Sequence, residues 1–522
     1  MRKIFVLTLL LCLFIPSLFS QNYRIAEASY NTEGKFKLTT TKKYNLERNY
    51  PLDKKTVFDE EKLALYLKNY EQELQNSRFF EKIEVSYEAT GQTESHKVND
   101  SFEEVILIRV NVSVVDSNHF LLVPYANFKD DSDQTKITPK IKAKDSNFLG
   151  SMNSLTTDFN ILIKNDKDED FWTFEPGFNL DYDYPFKAGP FDITWLNSYG
   201  LDFTIGDSFP EWDAETGLKF ELPFEKIKFV FAAYQYFNGD NDYKKYDDEI
   251  YFGNEFRFST PITLHQFSNY SNLSYTPSVK FKFNWDFNSI HEDNDSLLGP
   301  DITLSHSLSN SKINWYNNFR RGYSLSLSNS WPYNFHINEW SPSVSFEGKF
   351  FRYVELEERD YLDMAGLAVD FYAFTYINFP NVHYDLSESG YGEKIGSRLR
   401  GIADNTYFGN KSQSHTSSTA IVLNIDLPVN ILRTSFEKEI FNFNMQFSPF
   451  MDIAIYRDRA LPLQTDSAIC IGMEGLVYPY KWSSFTIRGS LGFDMKGAIS
   501  ENNLIKGLWH NKEFTIGLGL HY

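Results

Sequence analysis

At the end of the chain Phe514, Ile516, Leu518, Leu520 and Tyr522 alternate with Thr515, Gly517, Gly519 and His521. A period of two predicts a strand with one apolar and one polar face. The same rhythm sets Phe485, Ile487, Leu491, Phe493 and Met495 against Thr486, Arg488, Ser490 and Asp494, and Ile193, Trp195, Tyr199, Leu201 and Phe203 against Asp192, Thr194, Ser198, Asp202 and Thr204. It recurs from about residue 118 onward in sixteen to eighteen segments, the uncertainty lying between Trp212 and Tyr323. One sandwich cannot absorb so many one-sided strands. Apolar positions facing lipid and polar positions facing a wet lumen are what a transmembrane β-barrel requires.

Residues 21–117 break this rhythm and predict a small α+β unit. Tyr23 to Tyr30 reads as a strand. Asp59 starts a helix with Glu60 and Glu61 in its first turn, favourable for the helix dipole. Leu63, Tyr66, Leu67, Tyr70 and Leu74 form its apolar stripe, and Asn76, Ser77 and Arg78 end it. Two strands follow, Ile83 to Tyr87 and Val105 to Val115, with the polar stretch Thr90 to Ser101 read as a loop. Ahead of the unit, Arg2 and Lys3 precede the apolar run Ile4 to Phe19, with a cut expected after Ser20: a signal peptide over residues 1–20.

Composition sharpens the membrane reading. Aromatics make up 17%, including 48 Phe and 32 Tyr, which suits girdles at two lipid interfaces. The mean hydropathy of -0.41 averages two opposite faces. No later segment is long and apolar enough to span a bilayer as a helix, so a spanning chain must close into a barrel. The net charge of -19 argues against nucleic acid as a partner. With Cys12 in the leader, Cys470 has no thiol to pair with and reads as a small strand residue. Two Asp-rich stretches, Asn238 to Glu249 and His291 to Ser296, lack the Gly and distal Glu of a calcium loop and read as solvated loops. No Gly-x-Ser-x-Gly, His-Glu-x-x-His or cysteine metal cluster is present, so neither an enzyme nor a cofactor is expected.

The segments NSRFFEKIEVSYE and EEVILIRVNVSVVD resemble a POTRA domain, and DSNFLG at Asp145 to Gly150 resembles the early barrel of the BamA/TamA family of outer-membrane assembly proteins. On the residues alone a generic α+β plug or cap fits the first unit equally well, and DSNFLG by itself reads as a Gly-containing turn between two strands. The resemblance implies a sixteen-stranded barrel over 118–522 and one POTRA-like periplasmic domain over 21–117. The longest interruption of the strand pattern, about Pro380 to Ser418, stands before the last five segments and carries SRLRGIADN. In the family the corresponding outer loop enters the lumen with a Val-Arg-Gly-aromatic motif. That implies a lumen motif of Leu399, Arg400, Gly401 and Ile402, although Arg321-Gly322-Tyr323 is closer in spelling. In the segment from Phe441 to Tyr456 the odd positions are apolar, so Asp452 faces inward and is the expected partner of Arg400. The family's second acidic partner falls on Asn424, with Asp426 one inward position further.

The implied function is insertion of β-barrel clients into the outer membrane, or translocation of polypeptides across it, with no enzymatic step. Partners would be outer-membrane lipid, unfolded outer-membrane protein clients, periplasmic chaperones and accessory lipoproteins. Clients would leave at a seam between the first strand, near Phe120 to Phe128, and the last. Pro124 has no amide hydrogen for a ladder there, Gly517 and Gly519 weaken the facing strand, and Tyr125 is expected beside Leu518. The closing-strand signal would be Phe514, Leu518, Leu520 and Tyr522. A passive pore and a dedicated two-partner-type secretion channel are the competing readings.

Overall fold

The computed structural model describes residues 21–520 apart from 36, 99–100, 131–133, 167–171, 205–209, 225, 240–249, 269–270, 287–299, 336–337, 357–361, 378–392, 394, 402–416, 459–464 and 502. Both Asp-rich stretches, Ile402 and Tyr522 thus lie largely or wholly outside the described residues.

The N-terminal unit is a four-stranded sheet, with Asn22–Glu33 parallel to the central strand Ser101–Asp116. Ile108, Val110, Val112 and Val114 alternate onto the buried face of that strand. The helix Glu60–Ser77 lays Leu63, Tyr66, Leu67, Tyr70 and Leu74 on this face, the stripe its spacing predicts. Asp59 caps it by accepting from Lys62 N at 2.8 Å, and Arg78 ends it in the left-handed region at φ 58°. The predicted loop Thr90 to Ser101 is instead mostly strand. Phe80–Val98 pairs with Ser101–Asp116 out to Val98↔Ser101, with a register shift between Ala89 and Thr93. The extension is polar because both of its faces meet solvent, so it carries no apolar alternation to betray it.

The second unit is a closed ring of antiparallel strands that runs from Phe120–Asp130 to Lys512–Leu518. Ile250–Ser259 continues as Ile262–Ser268, Glu339–Trp340 as Ser343–Glu355, and Ser417–Asp426 as Val429–Arg433, since both members of each pair share one partner strand. Pro261, Pro342 and Pro428 sit at the three breaks, where a residue without an amide hydrogen interrupts the ladder. The described residues therefore close eighteen strand lines, the upper end of the sixteen to eighteen segments read from the pattern and two more than the sixteen that the resemblance implies. Bends hide where one strand ends, and parity alone does not count them.

The faces of this ring are inverted relative to a soluble core. On Thr465–Pro479, Ile469, Ile471 and Met473 are exposed, at 43%, 40% and 45%, while Ala468, Cys470 and Glu474 between them are buried. On Phe443–Asp458 the inward positions are Asn444, Gln446, Ser448 and Asp452, and Phe447, Met451 and Ile455 are exposed. Apolar exposure of this kind repeats around the ring, at Phe178, Trp195, Phe231, Phe256, Leu308, Leu327 and Phe350 among others, a continuous band that water would not tolerate. Among the described residues no helix is long and apolar enough to cross a membrane, which says nothing of strands.

The N-terminal unit docks on the end of the ring where the first strand begins, touching turns on several sides. DSNFLG is the main socket. Gly150, at φ 71°, accepts from Lys42 N at 3.0 Å and Asn45 Nδ2 at 2.9 Å, and a Cβ there would lie 2.1 Å from Thr40 O. Asn147 Nδ2 donates to Thr41 Oγ1 at 2.8 Å, and Met152 is buried in the core of the N-terminal unit. Elsewhere Tyr44 donates to Asp192, and Arg48 pairs with Glu221 at 3.2 Å. Arg78 reaches between Trp315 and Tyr478, its guanidinium 4.4 and 5.2 Å from their ring centres, and donates to Ser483 O and to Asn318 Oδ1. Burial pushes its pKa down to about 10, so it stays charged at neutral pH. Arg78→Ala is expected to weaken this docking by roughly 2–4 kcal/mol, the sum of a charged hydrogen bond and a desolvated cation–π contact. Hydrogen exchange should then quicken at turn 480–486 while the distant Asp59 cap keeps its protection.

Candidate functional site

Residues 395–401 lie inside the ring. Ile395 and Leu399 are buried against an apolar patch of the inner wall that includes Tyr372, Val422, Ala454 and Cys470. Small and aromatic residues at inward positions make this patch, so the segment anchors by the ordinary hydrophobic effect. Arg398 lies over the Tyr372 ring at 3.5 Å and pairs with Glu347 at 3.2 Å.

Arg400 is 5% exposed and fully engaged. Its Nε and Nη2 donate to the two oxygens of Asp452 at 3.0 and 2.7 Å, and Nη1 and Nη2 donate to those of Asp426 at 2.7 and 3.2 Å. The Arg400 backbone N–H adds a bond to Asp452 Oδ2 at 2.8 Å. Glu474 stands 3.7 Å away, and the guanidinium lies 3.8 Å from the centre of the Phe450 ring. Two bidentate forks from neighbouring strands hold one planar cation, a geometry lysine cannot copy.

The structure thus brings Leu399, Arg400, Gly401, Asp426 and Asp452 together and gives Asn424 a different task. Asn424 stands opposite Asp452 in register but donates to Arg398 O at 2.7 Å, holding the segment's backbone. Asp426, two residues on, supplies the second carboxylate. Arg321-Gly322-Tyr323 lies in the strand Phe319–Asn334, and Gly322 packs a Cβ-free face on Lys312 O. Sequence reasoning missed Glu474, Phe450 and Glu513, although inward parity on their strands was a usable signal. Glu513 matters most: it accepts from Gly401 N at 2.9 Å and thereby ties the segment to the last strand.

Gly401 has φ 97° and packs directly on Gly492, where an added Cβ would lie 2.5 Å from Phe493 N. Both the backbone conformation and the gap exclude a side chain. Gly401→Ala should cost about 2–4 kcal/mol from strain and overpacking together. Faster proteolysis of the folded chain near Arg398 and Arg400 would report it as release of the segment, whereas an unchanged digest would show that the close approach is dispensable.

The seam is short. The first strand pairs with Gln134–Asp145 along its whole length but, among the described residues, with the last strand only at Lys512↔Asp130, Glu513↔Lys129 and Phe514↔Phe128. At its other end it is tied elsewhere: Asn118 N donates to Lys481 O at 2.7 Å, and Trp482 Nε1 to Phe120 O at 2.9 Å. Between these ties Pro124 and Tyr125 lie beyond the paired stretch, and continuing the register would set Pro124, not Tyr125, opposite Leu518. The predicted closing strand also ends early. Gly519 turns the chain at φ 95°, and Leu520 lines a small inner cavity with Arg400, Arg320 and Tyr478, so it leaves the outward face shared by Phe514. A glycine able to adopt positive φ redirects the chain where period-two reading extends it.

No protein-family model matches the chain, and no curated protein matches it in sequence. Among solved structures it is similar to CdiB from Acinetobacter baumannii, at 10% identity and TM-score 0.45 over 95% of this chain and 73% of that one. It is also similar to BamA from Haemophilus ducreyi lacking POTRA domains 1–3, at 11% identity and TM-score 0.36 over 94% and 84%. CdiB from Escherichia coli is similar at 8% identity and TM-score 0.35 over 92% and 88%.

Proposed function

We propose that this chain is an outer-membrane β-barrel that inserts or translocates β-barrel or polypeptide clients, without an enzymatic step. The exposed apolar band faces lipid, and the N-terminal unit serves as a single POTRA-like domain on the periplasmic side, where it receives unfolded clients. Chaperones and accessory lipoproteins would act at this domain.

The observation that carries the reading is the seam. A ring held elsewhere by long ladders closes through three residue pairs, and the last strand is steadied from inside by Glu513 on Gly401. Breaking three pairs exposes two strand edges inside a bilayer, where an incoming strand is the available partner. Arg400, Asp426 and Asp452 hold the loop that holds this strand.

A second reading, dedicated secretion of one polypeptide, draws support from the N-terminal unit lying across one mouth of the ring, as a gate would. Reconstitution separates the two. Vesicles containing the full-length chain are expected to raise the folded yield of several unrelated unfolded outer-membrane barrels above that of empty vesicles. A yield no better than empty vesicles for every client would end the insertion reading.

A further inference from the structure

Beside the seam, on the outer surface at the docking end, lies a groove of about 790 Å³ lined by Leu121, Phe436, Phe441, Phe443, Val477 and Trp482. Phe443 and Val477 belong to outward positions of paired strands, so the groove is continuous with the apolar band. Its roof is the base of the first strand, through Leu121, and the indole of Trp482 both lines it and donates to Phe120 O. Glu437 and Lys438, adjacent and exposed, lie at its polar rim.

We propose that this groove binds one phospholipid of the inner leaflet, with an acyl chain in the groove and a zwitterionic headgroup on the rim. The inference rests on the membrane reading above. An apolar slot open to the lipid-facing surface loses nothing by taking an acyl chain and would otherwise hold water against Phe436 and Phe441. The slot ends at the turn 434–442, where interfacial aromatics and charges meet headgroups. One anionic and one cationic side chain side by side complement a headgroup carrying a phosphate and a primary ammonium, with Lys438 toward the phosphate and Glu437 toward the amine. A purely anionic headgroup would meet Glu437 unfavourably. The bound chain would then pack against the ring that ties down the first strand.

The test uses the full chain in phosphatidylethanolamine vesicles with brominated acyl chains, which quench tryptophan on contact. The fluorescence component lost in Trp482→Phe should be quenched, and detergent-extracted protein should retain one phosphatidylethanolamine by native mass spectrometry. Val477→Trp, which fills the slot, should abolish retention, and Lys438→Glu should lower it about fivefold. Phosphatidylglycerol should be retained less than phosphatidylethanolamine. Equal retention of the two headgroups, or retention unaffected by Val477→Trp, overturns the proposal; if Val477→Trp does not fold, absence of quenching at Trp482 decides alone. Quenching at the band residues Trp195 and Trp331 but not at Trp482 sinks the groove and leaves the barrel reading intact, whereas quenching at none of them sinks both.

Discussion

Replacing Arg400 by alanine will destabilise the folded ring by about 3–5 kcal/mol, because it leaves buried carboxylates without their cation. Asp426 and Asp452 are 7% and 0% exposed, and each gives both oxygens to the one guanidinium. Removing the arginine strands two negative charges that water reaches poorly, with Glu474 adding a third nearby. Arg400→Lys should recover less than half of the loss, since a point charge on a flexible stem cannot satisfy two forks. The combined change Arg400→Met, Asp426→Asn, Asp452→Asn should lie closer to the parent than Arg400→Ala does, because it removes the stranded charge together with its partner. The measurement is the temperature at which the chain loses its compact migration in a gel without prior boiling. Equal temperatures for the parent and Arg400→Ala would mean that this cluster does not hold the inner segment.

A covalent lock across the three-pair seam is the change with the largest expected functional effect. Phe128 and Phe514 are register partners, so cysteines at both positions, in a Cys470→Ala background, should oxidise to a disulfide. The locked chain should lose client insertion in the vesicle assay entirely and regain it on reduction. Cysteines at Tyr125 and Leu518 should crosslink poorly, because the ladder has already ended there. If the locked Phe128–Phe514 chain still inserts clients, lateral opening is not the route.

The inner lock and the seam are one mechanical unit. Gly401 N–H reaches Glu513, whose neighbour Phe514 makes the innermost of the seam pairs. Releasing Arg400 should therefore also loosen the last strand, and the melting and insertion assays should move in the same direction.

Much of this was legible from residue order, and the reasons are local. Inward and outward parity is a property of a pleated strand, so Asp452 could be placed on the inner wall from its neighbours alone. The helix stripe from Leu63 to Leu74 and the Asp59 cap follow from 3.6-residue spacing and an orphan amide. The hairpin arm beyond Ala89 escaped because a strand solvated on both faces has no apolar period, and Leu520 escaped because Gly519 bends the backbone without changing the letters around it.

Residue order alone carries a many-stranded ring with an apolar exterior, a separate α+β unit before it, and the inward parity of Asp452, while its pairing with Arg400 came from the family resemblance. The folded arrangement adds that the ring has eighteen lines, that of the two candidates Asn424 and Asp426 it is Asp426 that meets Arg400, and that DSNFLG is a socket rather than an isolated turn. Parity and spacing are encoded within a dozen residues. Which of two inward carboxylates meets a guanidinium, and which turn meets a neighbouring domain, depends on register and curvature between segments hundreds of residues apart, and no local pattern carries that information.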